Sequence, residues 1–292
     1  DNVRAILKSR QAQVFIFPST GTGGWETAIT NTLSPGDKVL VARNGMFSHK
    51  WIDMCQRFGL DVTQVDVPWG EGLPVARFEE ILRADTEGRI KAVLATHNET
   101  ATGVVSDVAG LRRAMDAAGH GALLLVDGVQ AAGKMALPRE ADMIAVSAHK
   151  LHGPKGIGAL WVRDGLKLIP HIEGGGQEQG LRSGTLSPAL CAGFGAAAAL
   201  AVERQEEDAG HVEELWRIAR HAFSGWTLNG SAEQRWHGNL NIRRDGLDVA
   251  RLMSDVRDVM FSAGSACASG SGRPSHVLKA IGLGDKQAKS SI

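Results

Sequence analysis

Apolar runs of strand length recur along the first half of the chain. They are QVFIFP (13–18), DKVLVA (37–42), DVTQVDV (61–67), KAVLAT (91–96), ALLLVD (122–127), MIAVSA (143–148) and IGALWV (157–162). Amphipathic stretches such as HKWIDMCQRFG and AGLRRAMDAAG lie between several of them. Near-continuous apolar strands alternating with helical segments predict an α/β fold, with a mainly parallel sheet buried between helices. In such a fold, ligands bind beyond the carboxyl ends of the strands. After about residue 200 the pattern changes to a long charged helix, AVERQEEDAGHVEELWRIARHAF. Short strands at TLNG and GNLNIRR follow, then a helix near GLDVARLMSDV. This predicts a large domain over residues 1–203 and a smaller α+β domain over 204–292. The opening DNVRAILKSR reads as a helix already under way, and the closing KQAKSSI as the approach to a strand, as expected of a chain truncated at both ends.

Composition narrows the classes. With 292 residues, 43% hydrophobic and 22% charged, the chain can bury a large core. Lys+Arg and Asp+Glu both number 32, so no global field draws it to nucleic acid or to a membrane surface. The sequence contains no apolar stretch of membrane-spanning length and no signal-peptide pattern, so a cytoplasmic setting is expected. Its three cysteines, Cys55, Cys191 and Cys267, have no metal-ligand spacing and are expected to be free thiols.

Candidate chemistry sits at strand ends. Lys150 follows an apolar run and precedes a loop broken by Gly153, Pro154, Gly156 and Gly158. Taken alone it reads as a solvated charge. Asp127 closes a run of four apolar residues, which places it where a buried strand meets a pocket; an ordinary turn or helix-capping aspartate would look the same. PSTGTGG places Ser19, Thr20, Gly21, Thr22 and Gly23 between a strand and a helix predicted to start near Trp25. Amides at a helix N-terminus with small hydroxyls alongside can hold an anion, although glycines also serve plain tight turns. Cys267 lies in FSAGSACASGSGRPSH, a Gly/Ser/Ala loop poorly suited to burying a thiol, whereas Cys55 and Cys191 lie in apolar helical stretches. His49, His97 and His152 read as turn or surface histidines.

Together these segments carry a resemblance. SAHKLHGPKGIGALWVR looks like the lysine segment of the class V aminotransferase and cysteine desulfurase superfamily, whose members use pyridoxal phosphate (PLP). The stretch from about 12 to 127, including IFPSTGTGGWETAITNTLSPGDKVL, resembles serine–glyoxylate aminotransferases. The stretch from about 126 to 292 resembles bacterial cysteine desulfurases, with the change near Asp127. The resemblance implies a three-layer fold-type I PLP-transferase domain plus a smaller α+β domain. Lys150 would attach the cofactor, Asp127 would pair with its ring nitrogen, and Phe47 in ARNGMFSHKW would stack on the ring. Thr20, Gly21 and Thr22, with Ser147 and His149, would hold the phosphate; Asn98 or Thr100, and Gln130, would contact the ring hydroxyl. Thr185, in EGGGQEQGLRSGTLS, would reach the phosphate of a second copy, implying a homodimer.

Cys267 matches the desulfurase nucleophile, which takes sulfur from L-cysteine for a sulfur-acceptor protein, as in iron–sulfur cluster assembly. Phe47 departs from the desulfurase pattern, which has a histidine there. The chain also ends before the arginine that grips the substrate carboxylate in the family, and Arg182 is not assumed to replace it. The alternatives are a serine- or alanine–glyoxylate aminotransferase, with Cys267 idle, and a composite or non-catalytic PLP-fold scaffold. No metal site is expected.

Overall fold

The computed structural model describes residues 1–6, 12–170, 172–263 and 276–292. Cys267 lies outside the described residues. A seven-stranded sheet forms the centre: β1 (Ala12–Phe17), β2 (Lys38–Arg43), β3 (Asp61–Asp66), β4 (Ile90–Thr96), β5 (Leu123–Asp127), β6 (Met143–Ser147) and β7 (Gly158–Arg163). The order across it is β1-β7-β6-β5-β4-β2-β3. The β6, β5, β4, β2 and β3 neighbours pair in parallel, whereas β7 runs antiparallel to both β6 and β1. The fold is α/β with a mainly parallel sheet, as the alternation of apolar runs predicts.

Both faces of the sheet are covered, so successive strand residues serve opposite cores. Leu124 and Val126 of β5 join one cluster with Phe78, Leu111, Met115 and Phe194. Leu125 joins the other with Trp25, Ile29, Trp51 and Leu94. The first cluster is closed by α1 (Asn2–Ile6), α4 (Val75–Ala84), α5 (Val108–Ala117) and α6 (Pro188–Glu203); the second by α2 (Gly21–Thr32) and α3 (Met46–Arg57). A buried carboxylate ties the amino ends of the central strands. Asp142 accepts the Leu124 amide at 2.7 Å and Arg163 Nε at 2.6 Å.

Element boundaries differ from the sequence pattern in informative ways. The second helix begins at Gly21, not near Trp25, because its glycines serve close packing and not a free turn. A Cβ at Gly21 would come 2.2 Å from Val129 Cγ2, and one at Gly24 would come 2.8 Å from Ala145 Cβ. Low intrinsic helix propensity is overridden by contact with the sheet. The charged helix predicted from residue 201 is interrupted at Arg204, where α6 ends and α7 (Gln205–Ala222) starts. After it come β8 (Thr227–Leu228), β9 (Ile242–Arg243), α8 (Val249–Asp255), α9 (His276–Ala280) and α10 (Asp285–Lys289). The backbone of Ile292 exchanges hydrogen bonds with Ile242 at 2.8 and 2.9 Å, so KQAKSSI leads to strand-like pairing after a short helix.

The carboxy-terminal elements dock on the loop after β4. Val105 N donates to Gln234 O at 2.9 Å, Trp236 N to Gly103 O at 2.8 Å, and Asn241 Nδ2 to Ala101 O at 2.8 Å. Arg235 is the hub. Only 8% exposed, it donates to the carbonyls of Asn229 at 3.1 Å, Ser231 at 3.0 Å and Thr102, with its guanidinium over the Trp216 ring. Burial, followed by the charge of Arg220, pulls its pKa down to about 10. Replacing Arg235 by Ala leaves these carbonyls without their donor. The expected loss is about 3 kcal/mol of stability, given roughly 1–3 kcal/mol for a buried group left unpaired, and it is measured by urea unfolding.

Candidate active site

The parallel register sets the site. Thr96 and Asp127 are paired neighbours at the ends of β4 and β5, and Asp127 pairs with Ala145 of β6. The Asp127 carbonyl accepts the His97 amide at 3.1 Å. Asp127 is 5% exposed, and its Oδ1 accepts the Val129 amide at 3.0 Å. Desolvation pushes its pKa up to about 6, against the opposing pull of the Val129 amide, the Trp25 indole and the positive charge of Lys150. A carboxylate this buried is stabilised by any cationic group brought against it.

Lys150 reaches the same region because β6 ends at Ser147 and the chain turns at once. Residues Ala148–Lys150 form one 3₁₀ turn, closed by Leu151 N and Gly153 N donating to Ala148 O at 3.0 and 2.9 Å. His152 takes a φ of 66°, in the left-handed region, to complete the reversal. That conformation costs a non-glycine residue about 1–2 kcal/mol. Ser147 Oγ and His149 Nδ1 lie 2.9 Å apart. Burial, then the charges of Lys150 and Lys155, hold the His149 imidazole below its usual pKa.

Thr20 and Gly21 stand at the start of α2, against the same corner. Thr20 is the extended residue before the helix, Gly21 packs on Val129, and the Thr20 carbonyl lies over Gly158 at the start of β7. Thr22 is in the first helical turn. Phe47 lies on α3, half-buried, with its ring edge-to-face with Trp25 at 6.1 Å; Trp25 in turn stacks on Trp51 at 5.3 Å. Phe47 is therefore the outermost ring of an aromatic run extending from the core.

The remaining candidates separate. Asn98 is buried, and its Nδ2 donates to Gly103 O at 3.0 Å and Val104 O at 3.2 Å, so its amide group braces the loop. Thr100 offers its carbonyl to Asn239 Nδ2 at 3.0 Å. Gln130 Oε1 accepts Lys134 Nζ at 2.9 Å. Thr185 is exposed, at the end of a segment whose Arg182 lies over the Phe17 ring at 5.4 Å. Of the described cysteines, Cys55 is buried with its thiol pushed up to about 12 by desolvation, and Cys191 packs against the core.

Three residues in the site's surroundings are not distinguished by the sequence pattern. Glu99 is buried and raised by desolvation, and its carboxylate accepts the Ala101 and Thr102 amides at 2.8 Å. His97, expected at a turn or the surface, is instead buried just beyond β4 and lowered to about 4 by desolvation, with Nδ1 lacking a partner among the described residues. Lys134 lies four residues after Gln130 in a non-helical turn where Gly133 takes a φ of 75°, and no sequence pattern marks their contact.

The donor set fits PLP. A buried carboxylate suits a ring cation, a nearby primary amine suits an aldehyde, and backbone amides with Ser147 and His149 suit a phosphate. Among the described residues, no cluster suited to a metal ion occurs, and no helix is long and apolar enough to cross a membrane.

Comparison with known proteins bears on the family and the fold. An L-aspartate–glyoxylate aminotransferase of Paracoccus denitrificans is 73% identical over 135 residues, covering 46% of this chain and 34% of that protein. A cysteine desulfurase IscS of Shewanella denitrificans is 37% identical over 254 residues, covering 82% of this chain and 61% of that protein. The chain thus spans between a third and two thirds of these relatives' lengths. A solved NifS-like protein superposes with a TM-score of 0.80 at 24% identity, covering 99% of this chain and 78% of that one, a likeness of fold. The aminotransferase class-V pattern matches residues 1–288. The buried carboxylate opposite a turn-borne lysine is thus set in a chain that belongs to the class V aminotransferase family of PLP-dependent enzymes.

Proposed function

We propose that the chain is the core of a cysteine desulfurase, converting L-cysteine to L-alanine while its own Cys267 becomes a persulfide. The observation that supports this most is the desulfurase likeness extending over 82% of the chain. To it the sequence adds a thiol in a Gly/Ser loop. The second reading is transfer of an amino group from serine, alanine or aspartate to glyoxylate. It is favoured by Phe47, where a desulfurase carries histidine, and by the 73% identity to the aspartate–glyoxylate enzyme.

When bound, PLP supplies an electron sink for the bond-breaking at the substrate's α-carbon. In the proposed arrangement, Lys150 would hold the cofactor through its amine and would move the substrate's α-proton. Asp127 would keep the ring nitrogen protonated. The amides of residues 20–22, with Ser147 and His149, would bind the phosphate. Phe47 would pack on the ring, and Gln130 with Asn98 or Thr100 would contact its hydroxyl. The Cys267 thiolate bonds to the substrate sulfur as the carbon–sulfur bond breaks, so cysteine and thiol become alanine and persulfide. The reading includes a homodimer in which the exposed Thr185 reaches the partner's phosphate, a smaller second domain over 204–292, a sulfur-acceptor protein and a cytoplasmic setting.

Lys150→Ala is expected to abolish the borohydride-trappable link to PLP, read by mass spectrometry; a retained adduct on another lysine rejects the assignment. Cys267→Ser is expected to stop sulfide release from cysteine while PLP stays bound. If instead the parent makes no sulfide but converts serine, alanine or aspartate with glyoxylate, and Cys267→Ser is equally active, the transaminase reading holds.

Asp127 yields a pH test on the cofactor-free protein. Its folded-state pKa is raised from 3.8 to about 6, so the folded chain binds more protons than the unfolded chain between these values. Stability therefore falls as pH rises through that window, by up to about 3 kcal/mol. Asp127→Asn removes this cost. Without PLP the variant should be the more stable protein near neutral pH, with the gap closing towards about pH 4. With PLP added the order should reverse, because only the charged carboxylate pairs with the ring. Urea titrations with and without PLP measure both.

A further inference from the structure

Lys134 is a half-buried cation with a neutral polar partner. Among the described residues its partners are the neutral Gln130 Oε1 at 2.9 Å and the face of Trp236, whose ring centroid lies 4.9 Å from Nζ. Burial, then the charge of Lys150, lowers its pKa to about 8. Drawing a lysine partly out of water for one neutral acceptor and a ring face carries a cost. The geometry suggests what the cost secures.

A carboxamide is two-faced: its oxygen only accepts and its nitrogen only donates. A lysine amine held at Oε1 fixes which end faces which way, because the flipped amide would set donor against donor. Resting on the reading that Gln130 contacts the ring hydroxyl, we infer that Lys134 is a positioning residue that sets Gln130 with its Nε2 donor towards the cofactor. The ring oxygen needs a donor, and a freely rotating Gln130 would present its oxygen part of the time. Lys134 also spans two parts of the chain. Its other partner, Trp236, belongs to the carboxy-terminal elements and is anchored by its amide to Gly103 O at 2.8 Å. The position of those elements thereby bears on Gln130 through one side chain.

The test uses the PLP-loaded protein and reads the dissociation constant for PLP and the position of its visible absorption band in Lys134→Met, Lys134→Arg, Gln130→Ala and the double variant Gln130→Ala/Lys134→Met. Lys134→Met is expected to weaken PLP about fivefold, the equivalent of one net hydrogen bond of about 1 kcal/mol, and to move the band. Lys134→Arg, which keeps a donor, should recover most of both. In the Gln130→Ala background, Lys134→Met should add nothing. An equal loss there would overturn the inference, since Lys134 would then act through packing alone. Should Gln130→Ala shift affinity and band while Lys134→Met changes neither, the positioning role is wrong and the Gln130 contact stands. Should Gln130→Ala itself be silent, the ring contact is wrong and the inference falls with it. If Lys134→Met does not fold, Lys134→Leu is read in the same way.

Discussion

A carboxylate held out of water at the end of a central strand organises this molecule. Asp127 can be buried because β4 and β6 flank it in register and α2 presses on the residues just after it. Its own shell provides the Val129 amide, the nearby Trp25 indole and the charge of Lys150, and these leave its pKa still raised. Ionising a carboxylate buried this deeply is costly. A ring cation would repay that cost, so cofactor binding and local stability are one free energy viewed from two sides.

The close fit around this corner explains residues that are poor choices locally. Gly21 and Gly24 weaken an isolated helix, yet any side chain there would push α2 off Val129 and Ala145. His152 adopts a left-handed conformation so that Lys150 can turn back over the strand ends. Intrinsic preference yields to position at a few points, and these points surround the site.

The loop after β4 carries a second set of constraints. Glu99 and Asn98 spend hydrogen bonds on its backbone from inside, and Arg235 donates to its Thr102 carbonyl while also holding the Asn229 and Ser231 carbonyls of the carboxy-terminal elements. Polar groups buried in this way specify a geometry because each would be costly unpaired. Asn98 thus braces the loop through the same amide that the family resemblance turns towards the ring.

Much was legible in the chain itself. Near-continuous apolar runs separated by helical segments can satisfy burial on both faces only as a parallel layered sheet, and so the α/β class followed from periodicity. Asp127 and Lys150 were legible as strand-end polar residues, and the PST-Gly turn as a helix entry. Other features needed tertiary structure. The start of α2 at Gly21 was hidden because the contacts that override glycine's propensity come from β5 and β6, remote in sequence. The break at Arg204 falls inside one charged helical pattern and leaves no periodic trace. Nothing in the sequence pattern marks Lys134, since its amide acceptor and the Trp236 face beside it depend on what the fold brings near. Sequence carries local preference and periodicity; the desolvation that makes Asp127 and Lys134 unusual arises only once distant segments exclude water from them.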